Sequence, residues 1–302
     1  MVWFYIGIVL LTRVFQCLFN KYSAKLVPKT SVAYLKHTIF YLGMAGLCAA
    51  IFFLIGQPSK GILTQLPETV LYAFFSGIGL AIACCCSLYA LTSGAIVLDS
   101  LFATAGLLVP SIAGIFMFNE ILSVWQWLFV GVFLLGAYFL VGGSRRVYAQ
   151  FSWKTLLALI LSLLSNGLTM LMQTGFSRNV TGGSVSLFSV LSFLSGVLLL
   201  GVVLPVVALR SRVKTSGMER LPKKALLLAF FLGGIVFVIN QLATVSAGMI
   251  SPVILFAFIN GGATIISALV GLFVFKEKLT VSGVIGLGLG LISLVLIKLL
   301  AP

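Results

Sequence analysis

The sequence predicts an all-α integral membrane protein of ten transmembrane helices arranged as two inverted five-helix repeats. Three observations predict it. Hydrophobic residues make up 61% of the 302-residue chain and charged residues 8%, with a mean hydropathy of +1.23. A soluble domain carries about 25% charged residues, so this chain could not cover a wet surface. Apolar stretches of roughly 20 residues, the length a helix needs to cross the hydrocarbon layer, recur from one end to the other. A short pattern, Phe-x-Glu-x-Leu, occurs twice, as FNEIL at 118–122 and FKEKL at 275–279, although the chain holds only five acidic residues.

The apolar segments fall at about 2–20, 31–55, 68–92, 95–118, 123–142, 153–175, 184–209, 224–247, 250–275 and 281–299. Helix is the conformation expected for each, because hydrocarbon offers backbone groups no partners outside a helix or a closed barrel. Barrel strands would alternate in polarity over about ten residues, and these runs are continuous. The first segment lacks a basic start and runs on past Arg13, so it is expected to span the membrane rather than to serve as a signal peptide. The connections are short: KYSAKLVPKT at 21–30, GQPSKG at 56–61, GGSRRVYAQF at 142–151 and RSRVKTSGMERLPKK at 210–224. None could fold as a soluble domain. The glycines lie chiefly inside the segments. In GVIGLGLGLISL at 283–294, Gly283, Gly286 and Gly290 are spaced three and four apart, one helix face meeting a close neighbour. That neighbour is expected within the chain, with a homodimer seam as the alternative.

The twice-used pattern is part of a longer match. Glu120 and Glu277 are 157 residues apart, and the same shift aligns Ala90 with Ala247, Gly114 with Gly271, Phe116 with Phe273 and Gly131 with Gly288. No gap is needed from the third segment to the fifth. A shift of 153 relates the first segment to the sixth, setting Arg13 on Asn166, Gln16 on Thr169 and Asn20 on Gln173. The chain therefore reads as two copies, 1–142 and 153–302, joined by a linker at 143–152. With five helices per copy, the second copy starts on the opposite face of the membrane. Inverted repeats of this kind build secondary transporters, with the substrate site near the midplane between the halves.

The stretches SIAGIFMFNEILSVWQWLFVGVFLLGAYFLV at 111–141 and IISALVGLFVFKEKLTVSGVIGLGLGLISLV at 265–295, each with a glutamate just past its helix, resemble the drug/metabolite transporter superfamily, EamA type. The resemblance extends over essentially the whole chain. It implies ten helices, alternating access, a cavity between helices 1, 3, 4, 6, 8 and 9, and in many members export. It carries no universal substrate motif. The family's fourth helix often has a proline about ten residues before the glutamate; Pro110 fits, whereas Ser267 stands at the second-copy position.

Polar groups inside a membrane are costly, so each is a candidate for function. Arg13, Gln16 and Asn20 share a helix face by their spacing of three and four, and Asn166, Thr169 and Gln173 form the matching face of the sixth helix. The two stripes are read as lining one cavity, with interhelical hydrogen bonding as the alternative. Asn240 and Gln241 form a further patch, and Asn260 lies in FINGGAT, where adjacent glycines loosen the helix. These residues make up the candidate substrate site. Asp99, in the first turn of the fourth segment, is either a carboxylate held by a helix N-terminus or a proton-coupling site and counter-ion for Arg13. His37, the one histidine, is a candidate proton shuttle. Glu120 and Glu277 are read as structural charges at helix ends.

An Arg and several amides, with scarcely any deep carboxylate, suit an amino-acid-like or related small polar solute. A multidrug or organic-cation exporter would use a deep acid, and a receptor or scaffold would not require an inverted repeat. No His-Glu-x-x-His run, paired aspartates, Gly-x-Ser-x-Gly elbow or Walker-type loop occurs, so neither an enzyme nor an ATP-driven pump is expected. No cofactor is expected, and no metal, since the five cysteines lie in apolar segments away from zinc-ligand spacing. The net charge of +14 reflects topology signals and lipid contacts rather than nucleic-acid binding. Fourteen of the nineteen basic residues lie at the connections after segments 1, 5, 7 and 9. That bias sets those connections in the cytoplasm and both termini outside, whereas the family resemblance implies cytoplasmic termini. The expected location is a bacterial inner (plasma) membrane.

Overall fold

The computed structural model describes residues 1–56, 62–92, 102–118, 123–142, 153–210, 221–274 and 281–299. They form ten helices. The chain runs through α1 (Val2–Leu26), α2 (Ser31–Ile55), α3 (Ile62–Thr92), α4 (Leu108–Phe118), α5 (Val124–Gly142), α6 (Trp153–Asn179), α7 (Val185–Arg210) and α8 (Lys223–Ala247). Then comes α9, which is α-helical over Pro252–Phe256, π-helical over Ala257–Gly261 and α-helical again over Gly262–Phe273, and finally α10 (Val281–Leu299). Residues 102–105 add one helical turn ahead of α4. Six of the helices are long and apolar enough to cross a membrane, and the remaining four contribute shorter apolar stretches. The chain is a multi-pass membrane protein.

Most bounds match the apolar segments to within a few residues, but α1 does not stop at Asn20. It continues through Lys21 to Leu26. Both Lys21 and Ser23 are buried, so a stretch read as a connection is the helix's last turns. Thr30 opens α2 by accepting a hydrogen bond from the Ala33 N–H at 3.3 Å, and proline marks the starts of α8 and α9, where its missing N–H costs nothing.

The polarity of the bundle is that of a body in lipid. Phe4, Leu54, Ile55, Leu198 and Leu209 point outward, while Ser76, Ser162, Ser165, Thr174, Ser192 and Thr244 are buried. Buried hydroxyls cost little in a helix when they bond back to their own backbone, as Thr174 does to the Met170 carbonyl at 2.9 Å. The helices pair as α3 with α6 and α1 with α8, α3 with α7 and α2 with α8, α4 with α6 and α1 with α9. In addition α2 lies on α7, and α5 on α10.

These crossings are close. A Cβ on Gly77 of α3 would lie 2.0 Å from the Ser192 carbonyl oxygen of α7, and one on Gly233 of α8 would lie 2.7 Å from the Tyr41 carbonyl oxygen of α2. The glycine face of α10 meets α5: a Cβ on Gly136 would come within 2.9 Å of the Gly290 nitrogen and 3.0 Å of the Gly286 oxygen. The stripe therefore has an intrachain partner. Gly136→Val should destabilise the detergent-solubilised protein by about 1–3 kcal/mol through overpacking. Gly131→Ala, on the same helix with nothing within 4 Å, should be neutral in the same thermal melt. Equal losses in the two variants would mean that the seam does not hold the helices together.

Candidate functional site

A cavity of about 240 Å³ lies at the centre of the bundle, between α1, α2, α3, the turn at 102–105, α6, α8 and α9. Helix periodicity accounts for its wall. α1 contributes Arg13, Gln16, Cys17 and Asn20, and α6 contributes Asn166, Thr169, Met170 and Gln173. Each set has the spacing i, i+3, i+4, i+7, one continuous face of a helix. The two sets are also related position by position through the same offset of 153 residues.

Arg13 sits at the middle of α1. Its Nη1 donates to Oε1 of Gln16 at 2.7 Å and its Nη2 to Oδ1 of Asn260 at 3.4 Å. Nε of Arg13 is shielded from solvent and has no hydrogen-bond partner among the described residues. Asn260 lies in the π-helical turn of α9, where wider winding releases backbone groups for other partners. Its carbonyl oxygen accepts from the Thr104 hydroxyl at 3.2 Å and from the Thr264 hydroxyl at 3.1 Å, and its Nδ2 reaches Sδ of Met170 at 3.4 Å. One residue thus ties α1, α6, α9 and the 102–105 turn together at the arginine.

Between α6 and α8, Nε2 of Gln173 donates to Oδ1 of Asn240, and Nδ2 of Asn240 is buried with no partner among the described residues. Asn166 donates to the Ser162 carbonyl at 2.9 Å. Asn20 lines the cavity, and so does His37, whose ring packs edge-on to Tyr41 with centroids 5.8 Å apart. Both ring nitrogens of His37 are buried and lack hydrogen-bond partners among the described residues.

The structure thus brings together Arg13, Gln16, Asn20, His37, Asn166, Gln173, Asn240 and Asn260. It separates Gln241 from them. Gln241 faces α7, accepting from the Ser189 hydroxyl at 2.9 Å and donating to the Ser186 hydroxyl at 3.0 Å. One residue is about 100° of helix rotation, which turns Gln241 away from the cavity that Asn240 faces. Gln241→Ala should therefore cost roughly 1 kcal/mol of stability in a thermal melt and leave transport rates at the level of the unaltered protein; a selective loss of transport would return Gln241 to the site. Asp99, Glu120 and Glu277 lie outside the described residues. Sequence reasoning passed over Cys17, Met170, Thr104 and Thr264. The first two were within reach, since each completes the i+4 position of a stripe already noted.

One end of the bundle is clasped by contacts among four helices. Where α6 ends, Phe176 stacks on Phe188 of α7 with ring centroids 4.5 Å apart, and the Ser177 hydroxyl donates to the Thr244 carbonyl of α8 at 2.5 Å. Nδ2 of Asn179 donates to the Tyr72 hydroxyl of α3 at 2.8 Å, and Nε2 of Gln65 donates to the Thr181 carbonyl. The cavity wall runs the other way, through Asn20, His37 and Leu88, towards the end where α1 finishes, α2 starts and α3 finishes. α2 contributes to the lining and α7 does not.

No family model matches the chain, and no curated protein matches it. A search of solved structures finds a crystal structure of a protein that is similar over 99% of this chain and 97% of its own, with a TM-score of 0.71 and 16% identity. That likeness is one of fold.

Proposed function

We propose that the protein is a secondary active transporter that moves a small polar, amino-acid-like metabolite across a bacterial inner (plasma) membrane by alternating access. The observation that carries the reading is the central cavity whose polar wall comes from two helices at one constant offset of 153 residues. Two inverted copies, 1–142 and 153–302, would give that wall. The helix pairs support the same relation: exchanging each helix for the one five places on turns α3 with α6 into α8 with α1, and α3 with α7 into α8 with α2. Export as the direction, and membership of the drug/metabolite transporter superfamily, rest on the sequence resemblance.

The lining weighs against a multidrug cation exporter, since it holds Arg13 and no described carboxylate. The volume of about 240 Å³ lies close to the roughly 300 Å³ at which pockets for drug-sized ligands start. A receptor or scaffold has no need of a bundle clasped at one end around a polar chamber. Proteoliposomes given a panel of labelled metabolites, with and without a pH gradient, should accumulate at least one small polar solute above protein-free controls. A panel that yields no uptake under either condition would sink the transporter reading.

A further inference from the structure

We propose that the cargo is a small organic acid whose carboxylate docks on Arg13, an inference that rests on the transporter reading and narrows it. Among the described residues that line the cavity, Arg13 is the one permanently charged side chain. Its partners are the neutral amide oxygens of Gln16 and Asn260, the latter at a long 3.4 Å. A guanidinium matches a carboxylate as a two-pronged fork, and bonds of that kind are roughly twice as strong as those between neutral groups. An incoming carboxylate displaces the long bond to Asn260 and frees that amide to turn an N–H towards the second oxygen.

The spare hydrogen-bonding capacity of the wall points the same way. Oε1 of Gln16 and Oδ1 of Asn240 and of Asn260 already accept hydrogen bonds. Among the described residues Nδ2 of Asn240 and Nε of Arg13 are buried donors without partners, and the His37 ring holds one further unpaired donor and one unpaired acceptor. It is the charged fork of Arg13, beside these donors, that suits a ligand that accepts. An organic cation would meet the arginine's charge at short range, with no described carboxylate in the lining to offset it. Volume sets the size. A cavity of about 240 Å³ suits a compact monocarboxylate better than a large polyacid.

The test uses the whole protein in lipid nanodiscs and isothermal titration. The probes are propionate, lactate, 2-oxobutyrate and valine, the methyl ester of each, and tetramethylammonium. At least one acid should bind more than ten-fold tighter than its ester, Arg13→Gln should erase that difference, and tetramethylammonium should bind more weakly than the acid. The comparison of acid with ester on the unaltered protein stands even where Arg13→Gln does not fold. Esters that all bind as well as their acids overturn the proposal; that is the outcome expected if a carboxylate of the chain, such as Asp99, already neutralises Arg13. Tighter binding of the cation, or no binding of any acid, overturns it as well. Uptake of neutral or cationic solutes into proteoliposomes without preference for acids would end this inference and leave the transporter reading standing. No uptake of any solute would end both.

Discussion

Replacing Arg13 with glutamine should lower transport by at least roughly 100-fold, about 2.7 kcal/mol at ten-fold per 1.36 kcal/mol. The protein should be as stable as before, or more so. The two effects separate because a permanent charge at the middle of a spanning helix is a standing cost. Among the described residues Arg13 meets that cost with two neutral amide oxygens, one of them at 3.4 Å, and its Nε finds no partner there. Removing the charge relieves the fold and strips the cavity of its strongest binding group. Arg13→Lys should fall between, because a lysine keeps the charge and loses the planar fork. Uptake and thermal melting on the same preparations decide the matter. A glutamine variant that melts much lower, with transport falling only in proportion to folded protein, would make Arg13 a structural strut. Full transport in that variant would remove the site altogether.

How much of this was legible in the chain depends on which physical signal each feature left. Helix bounds are written in runs of apolar residues, and α2 begins and ends where such a run does. The end of α1 is not, because Lys21 and Lys25 break the run although the helix continues to Leu26. A lysine's aliphatic stem packs against apolar neighbours with its head led towards water, so a charge there need not end a helix. The stripe on α1 was legible because costly polar groups recurred at helical spacing. Cys17 and Met170 belong to the same faces, but their low polarity hid them among core residues. Gln241 shows the opposite case: it adjoins Asn240 in sequence but, about 100° round the helix, bonds to Ser186 and Ser189 of α7. The π-helical turn at Ala257–Gly261 was foreshadowed by the two glycines after Asn260. What no sequence pattern foretold is the convergence of Thr104, Thr264 and Met170 on Asn260, because those contacts depend on how four separate segments meet.

Fastening the clasped end should stop transport completely and reversibly. With cysteines at positions 65 and 181, in a background whose native cysteines are replaced, a cleavable thiol cross-linker should bring uptake to background, and reduction should restore it. The expectation follows from the asymmetry of the bundle. At the end of α6 the Phe176–Phe188 stack and the bonds from Ser177, Asn179 and Gln65 hold α3, α6, α7 and α8 together. Each hydrogen bond contributes about 1 kcal/mol net, so the clasp amounts to a few kcal/mol. That is the scale on which a second conformation remains populated at about 0.1–10% and can be drawn on in each cycle. A covalent tie removes that population, whereas loss of one bond only shifts it: Tyr72→Phe, which deletes the acceptor for Asn179, should favour the unclasped form about five-fold, at about 1 kcal/mol. Solute binding to the tied protein should persist, because the cavity wall extends towards the other end, past Asn20 and His37. Binding and transport would then part company, which separates a carrier from a receptor. A receptor needs the chamber and never needs the clasp to open, so uptake that continues unchanged across the tied end would show that this end is not a gate.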